Sequence, residues 1–538
     1  MTMTRRGWST LACAAYVAVL IALAYRPAVD ALSGLSYPYD PDQFRDVGAT
    51  QAFVDGKGVE DPLYRGERIW YNPLLSWVLA AATRVSGGTV AATYMAASPP
   101  INLLAAVMFF TMVAVLYGPL PALLTMACYL FWPYYDEPWV TPCLSPWMFP
   151  NKLGLSLFCA TLLAYWHASR TSRIRSWVIA GFALGCTFLA HSAPALILGA
   201  CGLVAVCLPP APRPPLRWRM KALAALAGTA TVVSLPYLWS IIVTYHVYIV
   251  NDAPTGWAWP DLDHEHVRDV FTRALALSTI PFLVGFSVIV VRIRRDGAAR
   301  ALVCWLATAL ALFVYGWLQQ TMHFFSIVPQ YHYFLYITAA SMVFIGVGVA
   351  TAIEYVAAAA GKLVRWRHAS AVITVILATA SVALFTARTY PQFLQRADFN
   401  EYRRDAVSIN RDLERSGVVS RILQSTPPAA VILATAEDSL WRVAPTGRFV
   451  VGVRPEFSNP FVLFDPREAA QEQMLAAFLA RDWPMLNDLA RPFGVTHVLL
   501  NPEGTKAVEA NGPLVSGARL VSQQEGYSLY RLESSASQ

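Results

Sequence analysis

Repeated apolar runs, each about as long as a lipid bilayer is thick, restrict this chain more than any other feature. A helix needs roughly 20 mostly apolar residues to cross the hydrocarbon core. Runs of that kind recur from residue 8 to residue 389. Over the whole chain 56% of residues are hydrophobic and 14% are charged, whereas a soluble domain carries about 25% charge. In lipid every backbone polar group must be satisfied internally, so these runs read as helices. The expected class is a polytopic α-helical membrane protein of about 11 transmembrane helices, followed by a soluble α/β domain.

The first span is expected at 8–25, preceded by Arg5 and Arg6. Ala22-Leu23-Ala24 resembles a signal-peptidase site, but the run is longer than a usual signal core, which favours a retained span. The others are expected at 89–117, 119–135, 152–169, 177–191, 193–208, 222–244, 271–291, 301–318, 333–353 and 370–389. Pro99-Pro100 should bend the second. Basic residues alternate along the loops: Arg170, Arg173 and Arg175, then Arg213, Arg217, Arg219 and Lys221, then Arg292, Arg294, Arg295 and Arg300, then Lys362, Arg365 and Arg367. The loops between these groups (134–151, 191–194, 319–332) have no Lys or Arg. By the positive-inside rule the N-terminus is cytoplasmic, and segments 26–88 and 390–538 lie outside. The expected division is a membrane module over 1–389, carrying the 26–88 loop, and an outer α/β domain over 390–538.

In that domain, strands are expected at 429–434, 448–453, 495–500 and 527–532, and helices at 466–481 and 484–491. The tail has no cysteine and no glycosylation sequon, which rules out a disulfide framework and is compatible with a bacterial inner membrane. No Cys/His zinc spacing occurs, and nothing in the chain points to nucleic acid.

Just after the first span stands YPYDPDQFRD, residues 37–46. Asp40-Pro41-Asp42-Gln43 reads as a helix start, with Asp40 as N-cap and Pro41 at the first helical position. The helix should run over 41–55 and end at Gly56 and Gly58. A second short helix at 73–85 carries Leu74, Leu75, Val78 and Val85 at helical spacing and suits a membrane interface. A carboxylate pair where a span meets water is either a cap alone or a cap that also does proton chemistry.

The order of elements over 40–87 resembles the GT-C superfamily of membrane glycosyltransferases, which draw sugars from polyprenyl-phosphate carriers. An acid after the first span (Asp42), a short helix, Gly56, the turn Pro62-Leu63-Tyr64-Arg65-Gly66 and the helix opened by Pro73-Leu74 follow the family's order. The likeness is greatest to the protein mannosyltransferase and aminoarabinose transferase branch and covers the first 160 residues best. Asp-Pro-Asp-Gln stands where many relatives have Asp-Glu or Asp-Asp, so the base is Asp42 or Asp40.

The resemblance implies transfer of a sugar from a polyprenyl-phosphate donor to an envelope glycan, lipid or protein, with inversion and an Asp base, among membrane lipids. Asp136 and Glu137, at the end of the third span, stand where the family has a second acid that binds acceptor, sugar or metal. Lys152, Arg45 and Arg68 are candidates for the donor phosphate, with Lys57 and Arg65 behind them. The late loop before the tenth span holds His323, Gln330 and His332, where the family closes over the donor. A divalent metal (Mg, Mn or Ca) is a further option, with Asp136, Glu137, Asp263 and His266 as candidate ligands. Asp263 is read more simply as a helix cap. Trp132, Trp139, Trp147, Trp257 and Trp259 read as an interface belt. The alternatives are a glycolipid transporter or flippase, which the lack of mid-span charge and of repeats disfavours, and a glycolipid-binding protein without turnover.

Overall fold

The computed structural model describes residues 5–132, 142–171, 173–209, 214–256, 279–322, 328–364, 368–512 and 516–533. Helices occur in order at each place where a span was expected: Arg5–Leu32, Val90–Tyr117, Pro119–Phe131, Pro150–Arg170, Ile174–Ala190, Ser192–Cys207, Leu216–Leu238, Thr279–Arg292, Gly297–Met322, Tyr331–Val364 and Ala369–Leu394. Among the described residues, six of them contain stretches long and apolar enough to cross a membrane: Leu11–Leu32, Val90–Tyr117, Leu216–Thr244, Gly297–Gln319, Tyr331–Lys362 and Ala369–Leu394. The chain is an integral membrane protein. Pro119–Phe131, with 13 residues, extends only about 20 Å at 1.5 Å per residue, well short of a bilayer core.

The chain forms two compact units. One comprises Met1–Ser33, Ser98–Leu235 and Ala258–Glu401; the other comprises Gly34–Ala97, Pro236–Trp257 and Tyr402–Gln538.

In the first unit the long helix Tyr331–Val364 is the hub. Glycines let neighbours approach its backbone closely, as small residues do between membrane helices. A Cβ on Gly285 would overlap the Phe344 carbonyl, and one on Gly346 would overlap Thr125 Oγ1. Phe158, Trp305 and Tyr336 are fully buried and pack ring on ring. Trp147 is buried as well, so it is a core residue and not part of an interface belt.

The second unit is built on a five-stranded sheet: β1 (Val431–Leu433), β2 (Phe449–Val450), β3 (His497–Leu500), β4 (Ala518–Gln524) and β5 (Tyr527–Leu532), in the order β2-β1-β3-β5-β4. β2, β1 and β3 are parallel, whereas β3, β5 and β4 are antiparallel. Helices Asp465–Ala480 and Trp483–Ala490 form as expected and bury Met474, Phe478 and Leu486 against one sheet face. Leu63 and Tyr64 join the opposite core with Ile422, Ile432 and Val450.

β4 was not expected from the sequence. ARLVSQQ is polar, and its burial is patchy, as in a solvated edge strand. The two-residue turn Glu525-Gly526 into β5 has both residues at positive φ, 46° and 81°. That is the hairpin signal the sequence did carry. Helices Glu401–Ser416, Val418–Ser425 and Pro502–Ala510 were also not anticipated.

Residues 34–97 pack within this second unit. Asn410 accepts from the backbone N–H of Ser36 (2.7 Å) and Tyr37 (2.8 Å) and donates to Tyr37 O at 2.8 Å. Tyr39 stacks on Tyr402 with ring centroids 4.6 Å apart. The backbone N–H of Val450 in β2 donates to Leu63 O at 2.8 Å, so the 62–66 turn borders the sheet edge. From Pro236–Trp257, Tyr237 Oη donates to Trp70 O (2.8 Å) and Ser240 Oγ to Ile69 O (2.5 Å).

Candidate active site

Helix Pro41–Val54 starts as the sequence requires. Asp40 is its N-cap in extended backbone, and its Oδ1 accepts the Asp42 N–H at 2.8 Å. Gly56 (φ 85°) and Gly58 (φ 66°) turn the chain away after the last turn. Arg448, buried against the helix end, donates to Asp55 Oδ2 at 2.8 Å and to Thr426. No Cβ fits at Gly48, where it would overlap Ala444 O. The first loop helix is therefore seated directly on the 439–447 segment of the tail.

On this helix one guanidinium holds two carboxylates, Asp42 and Asp46. Arg45 Nη1 lies 2.6 Å from Asp42 Oδ1, and its Nη2 lies 3.2 Å from Asp46 Oδ1. The Arg45 side chain is 7% exposed, Asp46 is 3% and Asp42 is 45%. The guanidinium also lies over the Tyr71 ring, 3.8 Å from its centroid, where a desolvated cation–π contact adds to its anchoring. Burial, and then the neighbouring Asp42, push the Asp40 carboxyl up to about 7. Burial pushes Asp46 to about 7 against the opposing effect of Arg45. Asp46 Oδ2 is buried with no hydrogen-bond partner among the described residues, which adds to the cost of ionising the carboxyl.

Arg45 is thus a partner of the acids and not an open phosphate site. Asp46 and Tyr71 were not singled out from the sequence, although Asp46 lies four residues from Asp42 on one helix face. Arg68 is exposed, and its backbone is held by Tyr245 Oη at 2.7 Å. Lys57 donates to Gly447 O and stands over Phe449; burial pushes it down to about 8. Among the described residues neither forms an ion pair with Asp42 or Asp46.

The first unit contains a second polar cluster. Lys152, in the first turn of Pro150–Arg170, is fully buried, and its Nζ donates to Cys143 O at 3.3 Å. Arg396 Nη2 donates to Asp398 Oδ2 at 2.6 Å and to Cys143 Sγ at 3.0 Å. Trp147 Nε1 donates to Asp398 O at 2.7 Å. Burial pushes the Asp398 carboxyl up, opposed first by Arg396 and then by Ser145. The sequence reading missed Arg396 and Asp398; the available signal was a charged pair set among aromatics directly after the last span. His332 stands against the His191 ring, with centroids 4.7 Å apart. Gln330 is buried directly before the helix that Tyr331 opens.

Asp136, Glu137, Asp263, His266 and His323 lie outside the described residues. Among those described, no group of three or more His, Cys, Asp or Glu could hold a metal. The Asp40/Asp42/Asp46 set does not fit one, because the Arg45 cation already occupies the place between Asp42 and Asp46.

The same fold occurs in solved structures of other membrane proteins. The chain is similar to ArnT from Cupriavidus metallidurans in the apo state, with a TM-score of 0.57 and 15% identity over 97% of this chain and 98% of that one. It is similar to the same enzyme bound to undecaprenyl phosphate, with a TM-score of 0.55, 16% identity and coverage of 97% and 98%. The oligosaccharyltransferase of Archaeoglobus fulgidus, tethered to an acceptor peptide, follows with a TM-score of 0.50 and 12% identity over 91% of this chain and 69% of that one. No protein-family model matches the chain, and no curated protein matches it by sequence.

Proposed function

We propose that this protein transfers a sugar from a polyprenyl-phosphate donor to a cell-envelope acceptor at the outer face of a bacterial inner membrane, with inversion at the anomeric carbon. The observation that carries the reading is the Asp40–Asp42–Arg45–Asp46 cluster on the helix after the first span, in a fold shared with an enzyme solved with undecaprenyl phosphate. The topology, with N-terminus inside and residues 26–88 and 390–538 outside, rests on the alternation of basic loops.

Asp42 is assigned as the base. It is the open carboxylate of the cluster; Arg45 holds Oδ1, and Oδ2 takes no hydrogen bond from the described residues. The acceptor hydroxyl oxygen attacks the anomeric carbon as its proton passes to Asp42. The bond from that carbon to the donor phosphate oxygen breaks, and the electron pair leaves on the polyprenyl phosphate. Asp40 caps the helix and fixes the backbone at Asp42. Arg45 orients the carboxylate from a rigid, desolvated position. Lys152 is assigned to the donor phosphate as a point charge, with Arg396 beside it in the same cluster.

The test is turnover by purified protein in lipid, with a panel of polyprenyl-phosphate sugars and envelope extract. Asp42→Asn should abolish transfer while donor binding and thermal stability persist. If Asp40→Asn is silent while Asp42→Asn is active, the base is Asp40. Donor binding without turnover in the wild type overturns the transferase reading in favour of a carrier or binder.

A further inference from the structure

The tail domain carries an arginine-lined cleft that the transfer chemistry does not use. It is open, about 670 Å³ in volume, and lies where the end of helix Trp483–Ala490, the 62–66 turn and the β3-β5-β4 edge of the sheet meet. Arg65, Arg491, Arg519 and Arg531 line it together with His497, against a single carboxylate, Glu533.

Two observations set this cleft apart from an ordinary solvated face. First, Arg519 on β4 is the direct cross-strand neighbour of Arg531 on β5, and Arg531 is in turn the neighbour of His497 on β3. Like charges directly opposite one another in a ladder are destabilising. Among the described residues no carboxylate forms an ion pair with Arg65, Arg519 or Arg531, and of the four arginines only Arg491 has one, Asp488 at 3.0 Å on its own helix. Second, Arg65 arrives from a segment more than 400 residues distant and lies across Gly494, whose φ of 65° and missing Cβ leave room for it; a Cβ there would stand 2.6 Å from Arg65 Nη1. The fold thus gathers guanidinium groups from three chain segments onto one wall and, among the described residues, leaves three of the four without an ion pair.

We infer that this cleft binds an anionic saccharide, one bearing phosphate or carboxylate groups, and holds the acceptor glycan of the proposed transfer. Guanidinium forks match both oxyanions in bidentate geometry. Small-molecule pockets are roughly 300–1,000 Å³; this open cleft falls within that range and has room for a short saccharide segment. Pro427, Val495 and Val521 supply apolar wall on which sugar rings can lie. Only the acceptor role rests on the transferase reading; binding of the anionic saccharide does not.

The test uses the full chain in neutral phosphatidylcholine nanodiscs. The probes are a hexagalacturonate, neutral maltohexaose and inorganic pyrophosphate, each titrated at low and high salt. Hexagalacturonate should bind saturably, at least tenfold more weakly in Arg519→Gln/Arg531→Gln and more weakly at high salt, whereas maltohexaose should not bind. The double variant should melt at the same temperature as the wild type or higher, since like-charge opposition is removed. Equal hexagalacturonate affinity in both proteins overturns the inference, as does a lowered melting temperature, which would make the arginines structural. Pyrophosphate binding that survives the double substitution and disappears in Lys152→Met belongs to the donor cluster; if that is the sole anion signal, the cleft is empty of function. Binding only to discs containing phosphatidylglycerol makes the face a membrane contact and overturns the saccharide. Saccharide binding without sugar transfer from any donor keeps the cleft and removes its acceptor role.

Discussion

Arg45 Nη1 lies 2.6 Å from Asp42 Oδ1, one turn away on the same helix, so the only well-exposed carboxylate of the cluster is held by a cation that is itself buried. The two partners should respond differently to replacement. Arg45→Met leaves Asp46 buried without its cation, and losing one partner of a buried pair costs about 3–5 kcal/mol; thermal denaturation should show a marked drop. Asp42→Asn breaks only a half-exposed pair, worth about 0–1 kcal/mol. Its melting temperature should stay near that of the wild type while kcat falls by roughly 10²–10⁴, the usual contribution of a general base.

The cluster should make stability depend on pH. Asp40 and Asp46 each have a folded-state value of about 7, above their ordinary 3.8. Between those values the folded chain binds more protons than the unfolded one, so stability falls as pH rises from about 4 through 7. Each contribution is fully present below the unfolded value. Melting curves between pH 4.5 and 8 should show the decline, and Asp46→Asn should flatten it. An unchanged slope in that variant removes Asp46 as a cause.

Gly48→Ala tests the seating of the loop helix on the tail. Its Cβ would overlap a backbone carbonyl, Ala444 O, which has no rotamer to move. Overpacking of this kind costs about 1–3 kcal/mol, measurable by denaturation. Gly199→Ala is the control, since nothing lies within 4 Å of its added Cβ.

Lys152 and Arg396 should also separate. Lys152→Met should raise the donor KM, by about tenfold or more if one charge-assisted contact worth about 1.5–3 kcal/mol is lost. Arg396→Met leaves Asp398 buried without its 2.6 Å partner and should act mainly on stability, again by about 3–5 kcal/mol. If the KM effect appears in Arg396→Met at unchanged stability instead, the two roles are reversed.

The chain's sequence by itself determined the helices of the apolar runs and of the 34–97 segment, because apolar length and caps are local properties; Glu401–Ser416, Val418–Ser425 and Pro502–Ala510 were not legible in it. Asp40-Pro41 begins the first loop helix where it should, and Asp465-Pro466 stands in the first turn of a tail helix, there without a side-chain cap. The carboxylate pair was legible for the same reason: it lies beside a span end in a recognisable order of elements. β4 was not, since a polar edge strand has no apolar alternation to reveal it. What only the tertiary structure decided is which distant residues share a site. Asp46 draws its character from burial, Asp398 from a guanidinium and an indole, and Arg65 from a glycine that lies more than 400 residues away in the chain. Burial and long-range register depend on the packed fold, so no local window of sequence contains them.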